Sequence, residues 1–132
     1  ENILHVNLFG GIYTIKTVLP EMIERQSGTI INILSMVTQK VFTSSSAYTA
    51  SKSGLLGYTK VLREEVRDKN IRIINVSPGA TSTEIWSDEI RNKHNDSMMN
   101  SDDIAKIVFR IFSEKSNMVV EDIILRPLKG DL

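Results

Sequence analysis

Two short runs of aliphatic and β-branched residues, Thr29-Ile-Ile-Asn-Ile-Leu34 and Ile71-Arg-Ile-Ile-Asn-Val76, constrain this chain most. Both are nearly continuous in apolar character, the pattern of strands buried on both faces of a parallel sheet. Parallel strands cannot be joined by a hairpin and need a crossover, usually a helix. The interval 47–67 reads as that helix. Leu55, Leu62 and Val66 fall on one face, and a small-residue stripe (Ala50, Gly54, Gly57) falls on another. Ser44-Ser45-Ser46 offers N-cap residues, and Asn70 offers a left-handed stop.

The same alternation extends to both sides. Leu4, Leu8, Ile12, Ile15, Leu19 and Met22 recur at helical spacing, which predicts a helix over 2–25, bent near Pro20 and punctuated by Ser27-Gly28. Residues 80–100 are mixed and polar and read as a mobile excursion. Ser101 is expected to cap a helix with Asp102 and Asp103 in its first turn and Ile104, Ile107, Val108 and Ile111 on its apolar face. A last strand is expected over about 118–125. The order helix–strand–helix–strand–helix–strand predicts an α/β, Rossmann-like doubly wound parallel sheet.

Composition removes whole classes of function. The 16 basic and 16 acidic residues balance to zero, so no nucleic-acid or anionic-membrane partner is expected. No apolar run approaches the roughly 18 residues of a membrane span. Zero cysteines exclude disulfides and thiolate chemistry within these residues, and two distant histidines, His5 and His94, give no metal-ligand set. The 132 residues suit one domain at most.

The chemistry gathers at the carboxyl ends of the two strands, where open α/β sheets place their ligand crevice. Ser35 ends the first strand. Tyr48 and Lys52 stand four apart on the following helix and share a face. Alone, that pair reads equally as an exposed tyrosine beside a solvated lysine. The second strand closes in Pro78-Gly79, with Thr83 just beyond. Three separate segments thus direct polar groups to one region. No G-x-S-x-G elbow is present, which disfavours a serine hydrolase.

Ser35, Tyr48-Thr-Ala-Ser-Lys52, Pro78-Gly79-Ala-Thr-Ser-Thr83 and Val6-Asn7-Leu8-Phe9-Gly10 together resemble the short-chain dehydrogenase/reductase family, in its short single-domain branch. The resemblance implies hydride exchange between NAD or NADP and a small-molecule alcohol or carbonyl substrate. Tyr48 would be general acid and base, because an ammonium one turn away favours the phenolate of a group whose free pKa is about 10. Ser35 would donate to the substrate oxygen as it charges. Lys52 would also bond the cofactor ribose. Asn7 would hold a relay water through a carbonyl exposed by a helix distortion beside Gly10, or is simply a helix-surface amide.

By the same resemblance, Pro78 and Gly79 shape the nicotinamide site, with the Thr81 main chain and Thr83 hydroxyl at the carboxamide. Met36, Ala80 and Trp86 are candidates for the substrate pocket. A cytoplasmic homodimer or homotetramer, joined through the helices at 2–25 and 47–67, is expected. The alternatives are a dinucleotide-binding regulator without chemistry and an inactive fragment. Two departures are visible: Leu34 stands where a second serine is frequent, and Thr81 where an apolar residue is common.

The chain opens at Glu1, without methionine, inside a helical pattern, and holds no G-x-G-x-x-G turn. Residues 1–132 are therefore expected to be the C-terminal, catalytic part of one Rossmann-type domain. Its cofactor-binding part would lie upstream.

Overall fold

The computed structural model describes residues 2–131. Helix α1 (Gly10–Arg25) is entered through a π-helical turn over Leu4–Phe9, and strand β1 follows at Gly28–Ile33. A 3₁₀ turn at Met36–Thr38 leads to α2 (Ser46–Val66) and β2 (Ile71–Pro78). Two short strands, β3 (Thr81–Ser82) and β4 (Met99–Asn100), bracket α3 (Asp88–His94). Helix α4 (Ser101–Ser113) and β5 (Asp122–Leu125) complete the chain.

The sheet has the order β1-β2-β5 and is parallel throughout, with Gly28 opposite Ile71, Ile33 opposite Val76 and Pro78 opposite Leu125. Alternation along β2 sorts its side chains between two layers. Ile71, Ile73 and Asn75 face the side carrying α1 and α2, where Ile15, Ile30, Leu55, Leu62 and Val66 complete the buried core. Ile74 and Val76 point to the opposite face, and both are buried. Arg72, on that same face, reaches the C-terminal end of α4. Its guanidinium donates to the carbonyls of Ile111, Phe112 and Glu114 and so satisfies groups that the helix leaves unpaired.

The first helix and α2 dock through leucines seated on glycines. A Cβ on Gly11 would stand 3.1 Å from Leu55 Cδ1, and one on Gly54 3.1 Å from Leu8 Cδ2. Gly54 therefore serves contact within the chain, while the neighbouring Gly57 position faces open space.

Several details differ from the sequence expectation, each for a local reason. Helix α1 continues through Pro20 and stops at Gln26, which adopts the left-handed conformation (φ 54°). The Gln26 and Ser27 amides return to the carbonyls of Ile23 and Met22, so a left-handed glutamine, not Gly28, ends the helix. Gly28 opens β1 instead, because a Cβ there would lie 2.5 Å from Met22 Sδ. Ser45 holds the N-cap position of α2 but spends its hydroxyl on the Phe42 carbonyl. The cap of α4 is Asn100, whose Oδ1 accepts from Asp102 N–H at 2.8 Å; the longer reach of asparagine places it one residue ahead of Ser101. The stretch at 80–100 is structured: β3 pairs with β4 in parallel and Ser87 caps α3. The last strand is confined to Asp122–Leu125, the residues that pair with Asn75–Pro78 of β2.

One buried cation ties the layers together. Arg63 on α2 donates to the Ile73 carbonyl of β2, to the Glu121 carbonyl, and through two nitrogens to the Asp122 carboxylate of β5. Burial alone would push the Asp122 carboxyl up. The Arg63 hydrogen bond and charge, with help from Asn75, outweigh it and hold the group below the ordinary carboxylate value. A depressed folded-state value means stability present above the unfolded pKa and lost as pH falls through the folded one. Denaturation midpoints should therefore drop below about pH 4 in the wild type. Asp122→Asn should show a flatter acid limb, and identical acid limbs would remove this ion pair from the account.

Candidate active site

The strand ends converge because Gly79 lets them. Its N–H donates to the Leu125 carbonyl at 2.7 Å, joining the ends of β2 and β5. A Cβ there would lie 3.2 Å from Pro127 Cδ, close enough that Pro127 would have to give by a few tenths of an ångström, and in ordinary contact with Met36 Cγ at 3.5 Å. Thr81 turns its hydroxyl back to the Gly79 carbonyl at 3.0 Å, fixing the exit from β2 and leaving only its main chain available outward.

Over these ends lies a cavity of about 590 Å³. Ser35, Tyr48, Pro78, Gly79, Thr81 and Thr83 line it, as do Met36, Ala80 and Trp86. Nine of the residues singled out in the sequence thus share one space. Leu34, Val37, Phe42, Ile85 and Asp131 also line it and were not foreseen. Phe42 is the one aromatic in a polar loop, a signal that was present. Asp131 carries no local signal, because only tertiary folding brings it to the strand ends.

Ser35 is extended (φ −164°) and caps the 3₁₀ turn, its Oγ accepting from Val37 N–H at 3.3 Å. That use of a lone pair leaves the hydroxyl proton free to be donated. Lys52 does not line the cavity. It sits behind Tyr48, with Nζ 5.7 Å from the tyrosine ring centroid. The Ile33 carbonyl holds Nζ at 3.1 Å, which uses one of three ammonium protons. Burial holds this ammonium below the ordinary lysine value.

Asn7 also lies outside the cavity wall. It falls in the π-helical turn, where Gly10 N–H reaches back five residues to the His5 carbonyl, so a helix distortion is present beside Gly10. Asn7 Nδ2 donates to Ser51 Oγ at 3.5 Å, and that buried hydroxyl donates to the Tyr48 carbonyl at 2.7 Å. The distorted turn is thereby linked to the helix that carries Tyr48 and Lys52. Among the described residues no helix is long and apolar enough to cross a membrane, and no cluster of potential metal ligands occurs.

Comparison with known proteins gives the family and the fold. The sepiapterin reductase of Chlorobaculum tepidum is 36% identical over 129 residues, which cover 98% of this chain and 52% of that protein. Carbonyl reductase family member 4 of Xenopus laevis is 45% identical over 87 residues, covering 66% of this chain and 37% of its own length. The chain thus spans about half the length, or less, of these curated relatives. A metagenomic short-chain oxidoreductase in complex with NADP superposes with a TM-score of 0.75 at 28% identity, covering 94% of this chain and 49% of that one. The family model for short chain dehydrogenases matches residues 1–94, the stretch that carries the π-turn, β1, the Tyr48 helix and the β2 exit. With the parallel sheet, the strand-end crevice and this match in hand, the chain belongs to the short-chain dehydrogenase family.

Proposed function

We propose that this chain is the C-terminal, catalytic part of an NAD(P)-dependent oxidoreductase acting on an alcohol or carbonyl compound. The observation that carries the reading is that Ser35 and Tyr48 open onto one cavity, with the Lys52 ammonium held behind the tyrosine ring.

The donor set suits a dinucleotide. Lys52 keeps two ammonium protons beyond its bond to Ile33, enough for a pair of ribose hydroxyls. Pro78, Gly79, the Thr81 main chain and the Thr83 hydroxyl would border the nicotinamide. The bound cofactor supplies the hydride, which no side chain can.

Reduction then needs a proton on oxygen and stabilisation of the charge gathering there. Tyr48 donates its phenolic proton to the substrate oxygen, and its phenolate is stabilised by the Lys52 ammonium. Ser35, its lone pair engaged by Val37, donates a hydrogen bond to the same oxygen. In the oxidation direction Tyr48 takes the proton back. A water on the Asn7 carbonyl of the π-turn would link Lys52 to solvent; the helix distortion beside Gly10 supports that reading.

A second copy of the protein would pack on the exposed apolar side chains of the first two helices, Val6, Tyr13 and Val61 among them. Ser35→Ala should lower kcat by roughly 10²-fold with a smaller change in KM, because the lost bond strengthens as the oxygen charges. Steady-state oxidation of the reduced cofactor by a carbonyl panel measures it. A wild-type kcat in that variant would remove Ser35 from the mechanism.

A further inference from the structure

The cavity wall is chemically uneven. Beside Ser35 and Tyr48 it presents Leu34, Met36, Val37, Phe42, Ile85 and Trp86, all apolar or aromatic. A hydroxyl-rich substrate would lose its water there and find few partners. Among the described residues one ionised group enters the wall, Asp131. Lys40, from the loop after β1, and Arg126, just past β5, both donate to its Oδ2, at 2.7 and 2.9 Å. The Lys40 hydrogen bond, with Arg126 adding, holds the Asp131 carboxyl below the ordinary carboxylate value, so it is charged at neutral pH.

The geometry of this trio decides what a substrate meets. Asp131 is 13% exposed, whereas Lys40 and Arg126 are 53% and 45% exposed. Among the described residues neither cation lines the cavity. The two cations therefore approach from the solvent side, and the carboxylate stands between them and the bound molecule. An anionic substrate would face like charge, with the attraction of both cations offset by the Asp131 carboxylate they pair with.

We propose that the pocket takes an uncharged carbonyl compound with an apolar body, and that Asp131 sets this preference by filling the position where Lys40 and Arg126 would otherwise hold a substrate carboxylate. The inference rests on the proposed reductase reading for its activity arm only, because a binding preference exists with or without turnover.

The test uses the full-length protein with reduced cofactor and two matched probes, ethyl benzoylformate and benzoylformate. They present the same aryl ketone, one as an ester and one as an anion. The wild type should favour the ester in kcat/KM by roughly 100-fold. Asp131→Ala and the milder Asp131→Asn should reduce that ratio about tenfold or more, by a gain for the acid. Adding Lys40→Ala and Arg126→Ala to Asp131→Ala should cancel the gain.

Binding is read separately by the fluorescence of Trp86, the one tryptophan among these 132 residues. It is followed in a Tyr48→Phe background, and only the change lost on Trp86→Phe is counted. Preferential ester binding that shifts with Asp131, when the full-length wild type reduces neither these probes nor any member of a carbonyl panel, upholds this proposal and removes the reductase reading. Equal binding of acid and ester by the wild type, no binding of the ester, or a ratio unmoved in both Asp131 variants would overturn it.

Discussion

Replacing the Tyr48 hydroxyl with hydrogen should lower kcat roughly 10³-fold, within the range that a positioned general acid contributes. Dinucleotide affinity should stay within about tenfold of wild type, because only one neutral hydrogen bond is lost. The expectation follows from the placement of three groups. Tyr48 lines the cavity, Lys52 stands behind its ring, and Ser35 supplies a hydroxyl proton from the carboxyl end of β1. Removing the phenol leaves the pocket shape and the lysine in place, so binding and proton transfer separate. Equilibrium titration of the cofactor beside steady-state turnover reads both. Turnover near wild type in Tyr48→Phe would mean the proton comes from elsewhere.

The second large effect concerns stability. Arg63→Ala should destabilise the fold by about 3 kcal/mol, whereas Arg67→Ala should cost under about 1 kcal/mol. Both arginines lie on or just past α2 and both pair with acids. They differ in burial and in what they satisfy. Arg67 is about half exposed, and its partner Glu64 more so, which leaves their attraction screened by water. Arg63 is 8% exposed and donates to two backbone carbonyls as well as to both oxygens of Asp122. Its loss leaves the carbonyl of buried Ile73 without this donor and removes the partner of Asp122, itself 47% exposed. Each unpaired buried group costs about 1–3 kcal/mol. Denaturant midpoints of the two variants, at unchanged m-value, make the comparison. Equal losses would show that burial of Arg63 does not govern its contribution.

The parts of the fold that were legible in the sequence are those dictated by local pattern. The runs 29–34 and 71–76 carry enough β-branched apolar residues to read as buried strands, and β1 and β2 form within a residue or two of them. The stripe at Leu55, Leu62 and Val66 likewise marks the buried face of α2. Where several solutions were locally open, tertiary contact chose. Asn100 rather than Ser101 caps α4, and pairing with β2 trims the last strand to four residues.

The site shows the same division. Ser35, Tyr48, Gly79 and Thr83 were readable because strand ends and a helix face position them through short stretches of chain. Asp131 was not, because it reaches the pocket only through Lys40 and Arg126, partners 91 and five residues away. Arg63 escaped notice for a related reason: an arginine on a helix reads as a solvated charge until its partners on two strands are known.

A single turnover with reduced nicotinamide cofactor deuterated at its transferable position tests the central claim most directly. With an uncharged aryl ketone as acceptor, the account predicts product alcohol carrying deuterium on the carbinol carbon. Its formation should slow roughly 10³-fold in Tyr48→Phe. Alcohol without the label, or labelled alcohol formed by Tyr48→Phe at the wild-type rate, would contradict it.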